Sequence, residues 1–115
     1  MLNIEELPAC PVATAVRLIG NKWKILIVRD LLSGAKRNGE LLRSLDGISQ
    51  KVLTENLRSM EDDGLVDRFD YCENPPRVEY ALSELGNTMK PILHSLEVWG
   101  SNYQEIVRQG TNPPQ

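Results

Sequence analysis

The chain has 115 residues, of which 41% are hydrophobic and 25% are charged, and this composition fits one soluble globular domain. It has no apolar run of membrane-spanning length, and its first residues lack the basic and apolar regions of a signal peptide, so we expect a cytoplasmic protein with no membrane partner. Two cysteines and one histidine are too few for a disulfide framework, a zinc site or a histidine-based catalytic site, so we expect neither a metal nor another cofactor. The formal net charge of −3 argues at first against a nucleic-acid partner.

Two helices are predicted in the first third of the chain, after an N-terminal arm formed by residues 1–9. The first helix covers residues 11–19, because Pro11 suits the first helical position, and Cys10 is its expected N-cap. The second helix covers residues 22–32. Its apolar residues surround the helix axis, which predicts a central and largely buried helix.

A helix-turn-helix is predicted next. Residues 36–37 are expected to form a minimal strand, and residues 39–45 a short helix that Asn38 caps. A tight turn with a glycine follows at residues 46–47. The longer helix, at about 49–63, begins with a serine N-cap and ends at a glycine suited to the left-handed conformation. Its outer face is polar, as in a recognition helix that lies in the major groove of DNA.

Two strands are predicted after this motif, at residues 65–72 and 77–82. The second alternates apolar and polar residues, which is the period of a half-buried strand. Two prolines stiffen the turn between the strands. A hairpin directly after a helix-turn-helix is the wing of a winged-helix domain, so residues 66–82 are interpreted as a wing that contacts the flanking groove or backbone.

The last predicted helix covers residues 83–109, and a disordered tail is expected at 110–115. Pro91 lies inside this helix and is expected to kink it. Seven apolar residues recur four and three positions apart, which is typical of helices that pack along their length. The pattern predicts a homodimer whose interface contains Leu85, Met89, Ile92, Leu96, Trp99, Tyr103 and Ile106.

Together these elements predict a mostly helical α+β fold with one winged helix-turn-helix domain at residues 10–109, its last helix serving for dimerisation. The charges are unevenly distributed over it. Residues 22–58 hold eight bases against four acids, whereas residues 59–115 hold four bases against ten acids. A basic block beside an acidic remainder indicates a targeted binder of double-stranded DNA, because one surface meets phosphate while the rest resists non-specific binding.

Several segments together resemble the HxlR group of bacterial winged-helix regulators, which are relatives of the MarR repressors. The Ile-Ser-Gln-Lys start of the long helix and the Pro-Pro-Arg-Val-Glu-Tyr wing are specific in combination. The matching segments are residues 10–12, 19–24, 36–37, 40–41, 47–54, 57–66, 75–80 and 82–86. The chain departs from the group at Asn38, where an aromatic residue is usual, and at Cys72, where proline is more frequent. The resemblance implies a homodimeric DNA-binding transcription regulator, often one that senses oxidants or electrophiles through the cysteine at the position of Cys10.

The candidate DNA contacts divide by position. Gln50, Lys51 and Thr54 are expected to read bases of a near-palindromic operator, and Ser49 and Arg58 to contact phosphate. Two further phosphate contacts are expected from Lys36 and Arg37. Arg77, at the base of the wing, is a candidate for the minor groove, with a salt bridge to Glu73 or Glu79 as the alternative.

Two other function classes are alternatives to a DNA-binding regulator. A small enzyme is disfavoured because no nucleophile, base and orienting group occur together and no glycine-rich phosphate loop is present. A winged-helix protein–protein adaptor remains the alternative, and it predicts no salt dependence of binding. Trp23 and Trp99 are interpreted as core and dimer anchors. Cys10 is either a redox sensor, since the positive end of a helix stabilises a thiolate, or a buried and inert packing residue.

Overall fold

The computed structural model describes residues 1–110, so all but the first residue of the predicted tail lies outside the described residues. The predicted element order is confirmed, except that the last helix is divided in two and a 3-10 turn, Ile4–Glu6, lies within the arm. The elements are α1 (Pro11–Ile19), α2 (Lys22–Leu31), β1 (Lys36–Arg37), α3 (Asn38–Ser44), α4 (Gln50–Asp62), β2 (Val66–Asp70), β3 (Val78–Leu82), α5 (Glu84–Asn87) and α6 (Lys90–Arg108).

The three strands form one antiparallel sheet in the order β1-β3-β2. The short strand β1 pairs with β3 through Lys36 and Tyr80, and β2 pairs with β3 from Val66 opposite Leu82 onward. The core lies between α2, α3, α4 and the sheet. Its fully buried side chains are Ile27, Val28, Leu41, Leu45, Leu53, Leu57, Met60 and Val66.

Local signals set the ends of the helices. The Ser49 hydroxyl oxygen accepts from the backbone N–H of Val52 at 3.1 Å and caps α4, as predicted. Gly64 closes that helix with a φ of 77°, a conformation that glycine adopts without strain. The start of α3 differs by one residue, because Arg37 and not Asn38 is its N-cap. There the Glu40 carboxylate accepts from the Arg37 backbone N–H at 3.0 Å.

The prediction of one kinked helix over residues 83–109 is wrong. The chain leaves the helical path after α5, and α6 begins at Lys90 with Pro91 in its first turn. Proline is tolerated there because its missing N–H would have no partner inside the helix. The break turns Met89 into the core, where its side chain is 6% exposed, and Leu93 is buried as well. The single histidine, His94, is exposed on α6.

The short helix α5 lies close against the start of the wing. A Cβ atom placed on Gly86 would come within 2.1 Å of the backbone oxygen of Leu65. The Ser83 hydroxyl donates to the Gly64 backbone oxygen at 2.6 Å and accepts from the Gly86 N–H at 3.0 Å. These contacts tie α5 to the end of α4. Within residues 1–110, no helix combines the length and the apolar character needed to cross a membrane.

Candidate nucleic-acid interface

The helix α4 buries one side and exposes the other. Leu53, Asn56, Leu57 and Met60 face the interior. The opposite side of this 13-residue helix is polar and largely exposed. An α-helix with its side chains is about 10–12 Å in diameter, which suits the width of the DNA major groove, about 12 Å.

The exposed face of α4 is partly ordered by its own contacts. The Gln50 amide Nε2 donates to the Thr54 hydroxyl at 3.0 Å, one helical turn away, which aligns both side chains along the face. Lys51 and Arg58 are exposed. The structure therefore brings the predicted base-contacting residues together on one surface. The exposed Ser49 lies at the N-terminal end of this surface.

The predicted phosphate contacts at β1 lie at the edge of the sheet, immediately before α3. Arg37 is exposed, whereas Lys36 is half-buried and lines a polar cavity of about 270 Å³ with Asp30 and Glu40. One carboxylate oxygen of Asp30 is buried in this region and has no hydrogen-bond partner among the described residues. Arg37 is thus freer than Lys36 to meet an anion outside the protein.

Arg77 is held at the loop end of the wing, opposite Tyr71, by several partners. Its guanidinium lies 3.1 Å from the Glu73 carboxylate and 3.3 Å from that of Glu79. It also stacks 3.7 Å above the ring of Tyr71. The salt-bridge alternative is therefore what the structure shows. Entry of Arg77 into a minor groove, as first predicted, would require two ion pairs to be broken.

One basic residue near α4 was missed. Arg68 on β2 lines a groove together with Thr54 and Arg58 of α4 and Tyr80 of β3. The alternation of β2 contains the signal for the position of Arg68. Side chains two positions apart in a strand lie on the same side, so Arg68 lies on the side of β2 that the buried Val66 occupies. Glu61 and Asp62 line the same groove, so its charge is mixed.

A second surface, on α5 and α6, is apolar and exposed. Of the seven residues predicted for a dimer interface, Met89 is corrected to a core position and Ile106 is half-buried. The exposed ones are Leu85, Ile92, Leu96, Trp99 and Tyr103. Trp99 is 70% exposed, and its ring stacks on that of Tyr103 with centroids 5.9 Å apart.

Helix α1 extends this apolar surface. Its residues Val12 and Val16 are exposed. Its inner side, with Leu18 and Ile19, lines an apolar groove against Leu85 and other residues of α5 and α6. Within residues 1–110, Leu93 is the one buried residue of the 19-residue helix α6, so most of the surface of that helix is exposed.

Both cysteines are exposed and unpaired in the described part of the chain. Cys10 is the N-cap of α1, as predicted, although its side chain makes no capping hydrogen bond. The alternative of a buried packing cysteine is wrong. Cys72, near the tip of the wing, has a φ of 53°, and its N–H donates to the Asp70 carboxylate at 2.9 Å.

A helix-turn-helix with an exposed polar second helix, followed by a two-stranded wing, defines a winged helix-turn-helix protein. The family model for HxlR-like helix-turn-helix proteins matches residues 18–108. The chain belongs to this family. Cys10 lies outside the matched residues.

Individual relatives agree with this assignment. The chain is 44% identical over 97 residues to the HTH-type transcriptional regulator YkvN of Bacillus subtilis, covering 84% of this chain and 82% of the relative. The crystal structure of the HTH-type transcriptional regulator YtcD, of the same species, has a TM-score of 0.80 at 43% identity and covers 84% of this chain and 98% of that one. The redox regulator HypR in its reduced form has a TM-score of 0.81 at 37% identity, covering 87% of this chain and 99% of that one.

Proposed function

We propose that the protein is a sequence-specific DNA-binding transcription regulator that acts as a homodimer on near-palindromic operators. The observation that carries this proposal is the polar face of α4 in a helix-turn-helix, where the exposed Gln50 and Arg58 and the half-buried Thr54 are aligned at helical spacing. Glutamine, lysine and arginine are side chains that read base edges in the major groove. The names of the relatives as helix-turn-helix transcriptional regulators support the same function.

The contacts of the site suggest distinct roles. Gln50, Lys51 and Thr54, in the first turns of α4, are proposed to read bases. Arg58 is proposed to bind phosphate, as are Ser49, whose hydroxyl hydrogen remains free to donate, and the residues of β1, chiefly Arg37. The wing is proposed to contact the flanking backbone, with Arg77 stabilising the loop of the wing through Glu73 and Glu79 rather than entering the groove.

Dimerisation is proposed through the apolar surface of α1, α5 and α6. Exposed aromatic and aliphatic side chains at regular spacing on a long helix are typical of a subunit interface. A dimer would also present two recognition helices, as a near-palindromic operator requires.

Selection of duplexes from a random pool by the purified protein tests the DNA-binding proposal. We expect a near-palindromic sequence to be enriched, and its affinity to fall steeply as the salt concentration rises, because binding releases counterions from phosphates. A protein–protein adaptor would enrich no sequence. The absence of enrichment, or salt-independent binding, would contradict the proposal.

We further propose that oxidation of Cys10 regulates DNA binding. Cys10 is exposed at the start of α1, one end of the proposed dimer surface, and the structural relative HypR is named a redox regulator. Diamide takes two electrons and two protons from a pair of thiols, here proposed to be Cys10 and Cys10 of the partner subunit, and the disulfide that forms between them should release the wild type from its operator. The Cys10→Ser variant should stay bound, and Cys72→Ser should behave as the wild type does. Equal release of the wild type and Cys10→Ser would exclude Cys10 as the sensor.

A further inference from the structure

Two hydrogen bonds join the first turn of α2 to the inner side of α4. The Asn21 amide nitrogen donates to the Asn56 amide oxygen at 2.9 Å. The Lys24 ammonium donates to the Ser59 hydroxyl at 2.7 Å. We refer to Asn21, Lys24, Asn56 and Ser59 as the α2–α4 latch.

Both amides of the latch are held in one orientation. The Asn21 oxygen accepts from the backbone N–H groups of Trp23 and Lys24 at 3.0 and 2.8 Å, because Asn21 is the N-cap of α2. Its nitrogen is therefore left to face α4. On the other side, the Asn56 nitrogen donates to the Val52 backbone oxygen at 2.8 Å, which turns the Asn56 oxygen toward α2.

The burial of Asn56 indicates a role in geometry. Its exposure is 8%, and within residues 1–110 it is the one polar side chain that is classed as buried. A leucine there would bury more apolar surface and would need no partner. Buried amides that are retained in place of apolar residues are best known for fixing the register of packed helices.

The latch lies on the back of the recognition helix. At about 100° per residue, Asn56 is about 160° around the helix axis from both Thr54 and Arg58. Ser59 is three residues after Asn56 and so lies about 4.5 Å further along the helix axis. Hydrogen bonds at these two residues restrain both the roll of the helix about its axis and its tilt. With side-chain tips about 5 to 6 Å from the axis, a roll of about 10° moves them by about 1 Å. That displacement exceeds the range of about 0.5 Å over which hydrogen bonds form.

We propose that Asn21 and Lys24 are positioning residues for DNA recognition, which act through Asn56 and Ser59 by holding α4 in the orientation that reads bases. The proposal rests on the proposed function, because it requires that α4 reads DNA. It predicts that loss of the latch reduces discrimination between sequences more than it reduces affinity for DNA in general.

The test compares Lys24→Met with Lys22→Met. Both substitutions remove one positive charge from the first turn of α2 and keep a long apolar stem. Lys22 lies 4.5 Å above the Trp23 ring and forms no hydrogen bond to α4 within residues 1–110, so its substitution removes the charge and this ring contact without touching the latch. The quantity measured is the ratio of the affinities for the selected operator and for a scrambled duplex. We expect Lys24→Met to lower this ratio about tenfold relative to Lys22→Met.

A second variant tests the amide half of the latch. Asn21→Ser keeps a hydroxyl that can cap α2, but serine is too short to reach Asn56. It should lower the ratio in the same way without changing the charge. If Lys24→Met and Asn21→Ser lower the Tm but leave the ratio equal to that of Lys22→Met, the latch is merely structural and the proposal is overturned.

A distance measurement separates this proposal from the proposed function. If the wild type itself does not discriminate between duplexes, the proposed function is wrong. The latch is then tested by whether its loss changes the position of α4 relative to α2. Spin labels at Arg29→Cys and Glu55→Cys, in a background of Cys10→Ser and Cys72→Ser and diluted with unlabelled protein, report the distance between α2 and α4. A broadened or shifted distribution for Lys24→Met relative to Lys22→Met would support the latch. Identical distributions would overturn it.

Discussion

Neighbouring side chains on α4 differ in what they can recognise. Gln50 carries an amide with both a donor and an acceptor, and such a group can form two hydrogen bonds to the edge of an adenine. Its contact with Thr54 restricts its rotation before DNA binds, which lowers the entropy lost on binding. Arg58 lies two turns further along and carries a full charge that phosphate attracts whatever the sequence. These two residues should therefore contribute separately to specificity and to affinity.

Substitution of Gln50 by alanine should relax the preference at one base pair in each half-site. The expected loss of discrimination is about 1–3 kcal/mol, and competition between operator variants measures it. Arg58→Ala should instead weaken binding to all duplexes and reduce the salt dependence by about one ion per protomer.

Arg108→Ala provides the control, because it removes the same charge at the far end of α6. It should leave specificity and the salt dependence close to those of the wild type. A loss of specificity in Arg58→Ala equal to that in Gln50→Ala would contradict the division of roles.

Among the elements, α5 is packed unusually close to another part of the chain, the backbone that follows the end of α4. Gly86→Ala would place a methyl group 2.1 Å from the backbone oxygen of Leu65, and no side-chain movement can relieve a clash with backbone. We expect a loss of about 2–3 kcal/mol in the free energy of unfolding, measured by urea denaturation.

Gly39→Ala is the matched control for this substitution. Its added methyl group would meet only the flexible end of Arg43, at 3.4 Å. Alanine also favours the helical conformation over glycine, so this variant should gain up to about 1 kcal/mol. Equal stability of the two variants would show that α5 can move away from the wing without cost.

The dimer proposal is tested on α6 by two substitutions of the same chemical kind. Leu96→Asp places a charge in the middle of the apolar stripe, where Leu96 is 50% exposed. It should produce monomers by sedimentation and reduce operator binding to the weak affinity for a single half-site. Val98→Asp changes a residue that is 48% exposed but lies on another side of the helix, so it should leave the dimer intact. Sedimentation of Leu96→Asp as an intact dimer would refute the interface.

Sequence patterns predicted the elements whose causes are local. The serine cap at Ser49 and the glycine at Gly64 act within a few residues, and α4 ends as they indicate. Pro91 illustrates the limit of such patterns, because proline is compatible both with a kink inside a helix and with the first turn of a helix. Burial of Met89 in the core favours the second arrangement here. The bond between Asn21 and Asn56 joins residues 35 positions apart, so only the packed fold brings them together.

At the scale of the whole molecule, the dimer fixes the distance between its two recognition helices. Each α4 is joined to the core of its own domain, and the proposed interface on α6 would hold the domains as one body. The selected operator should therefore have half-sites at one fixed spacing, near one turn of DNA or about 10 base pairs. Insertion of about 5 base pairs between the half-sites would rotate one of them to the opposite face of the duplex. We expect this insertion to reduce the affinity of the wild type to that for a single half-site, as measured by fluorescence anisotropy. The Leu96→Asp variant, as a monomer, should bind both duplexes equally and weakly. Equal affinity of the wild type for both spacings would show that the two domains read DNA independently.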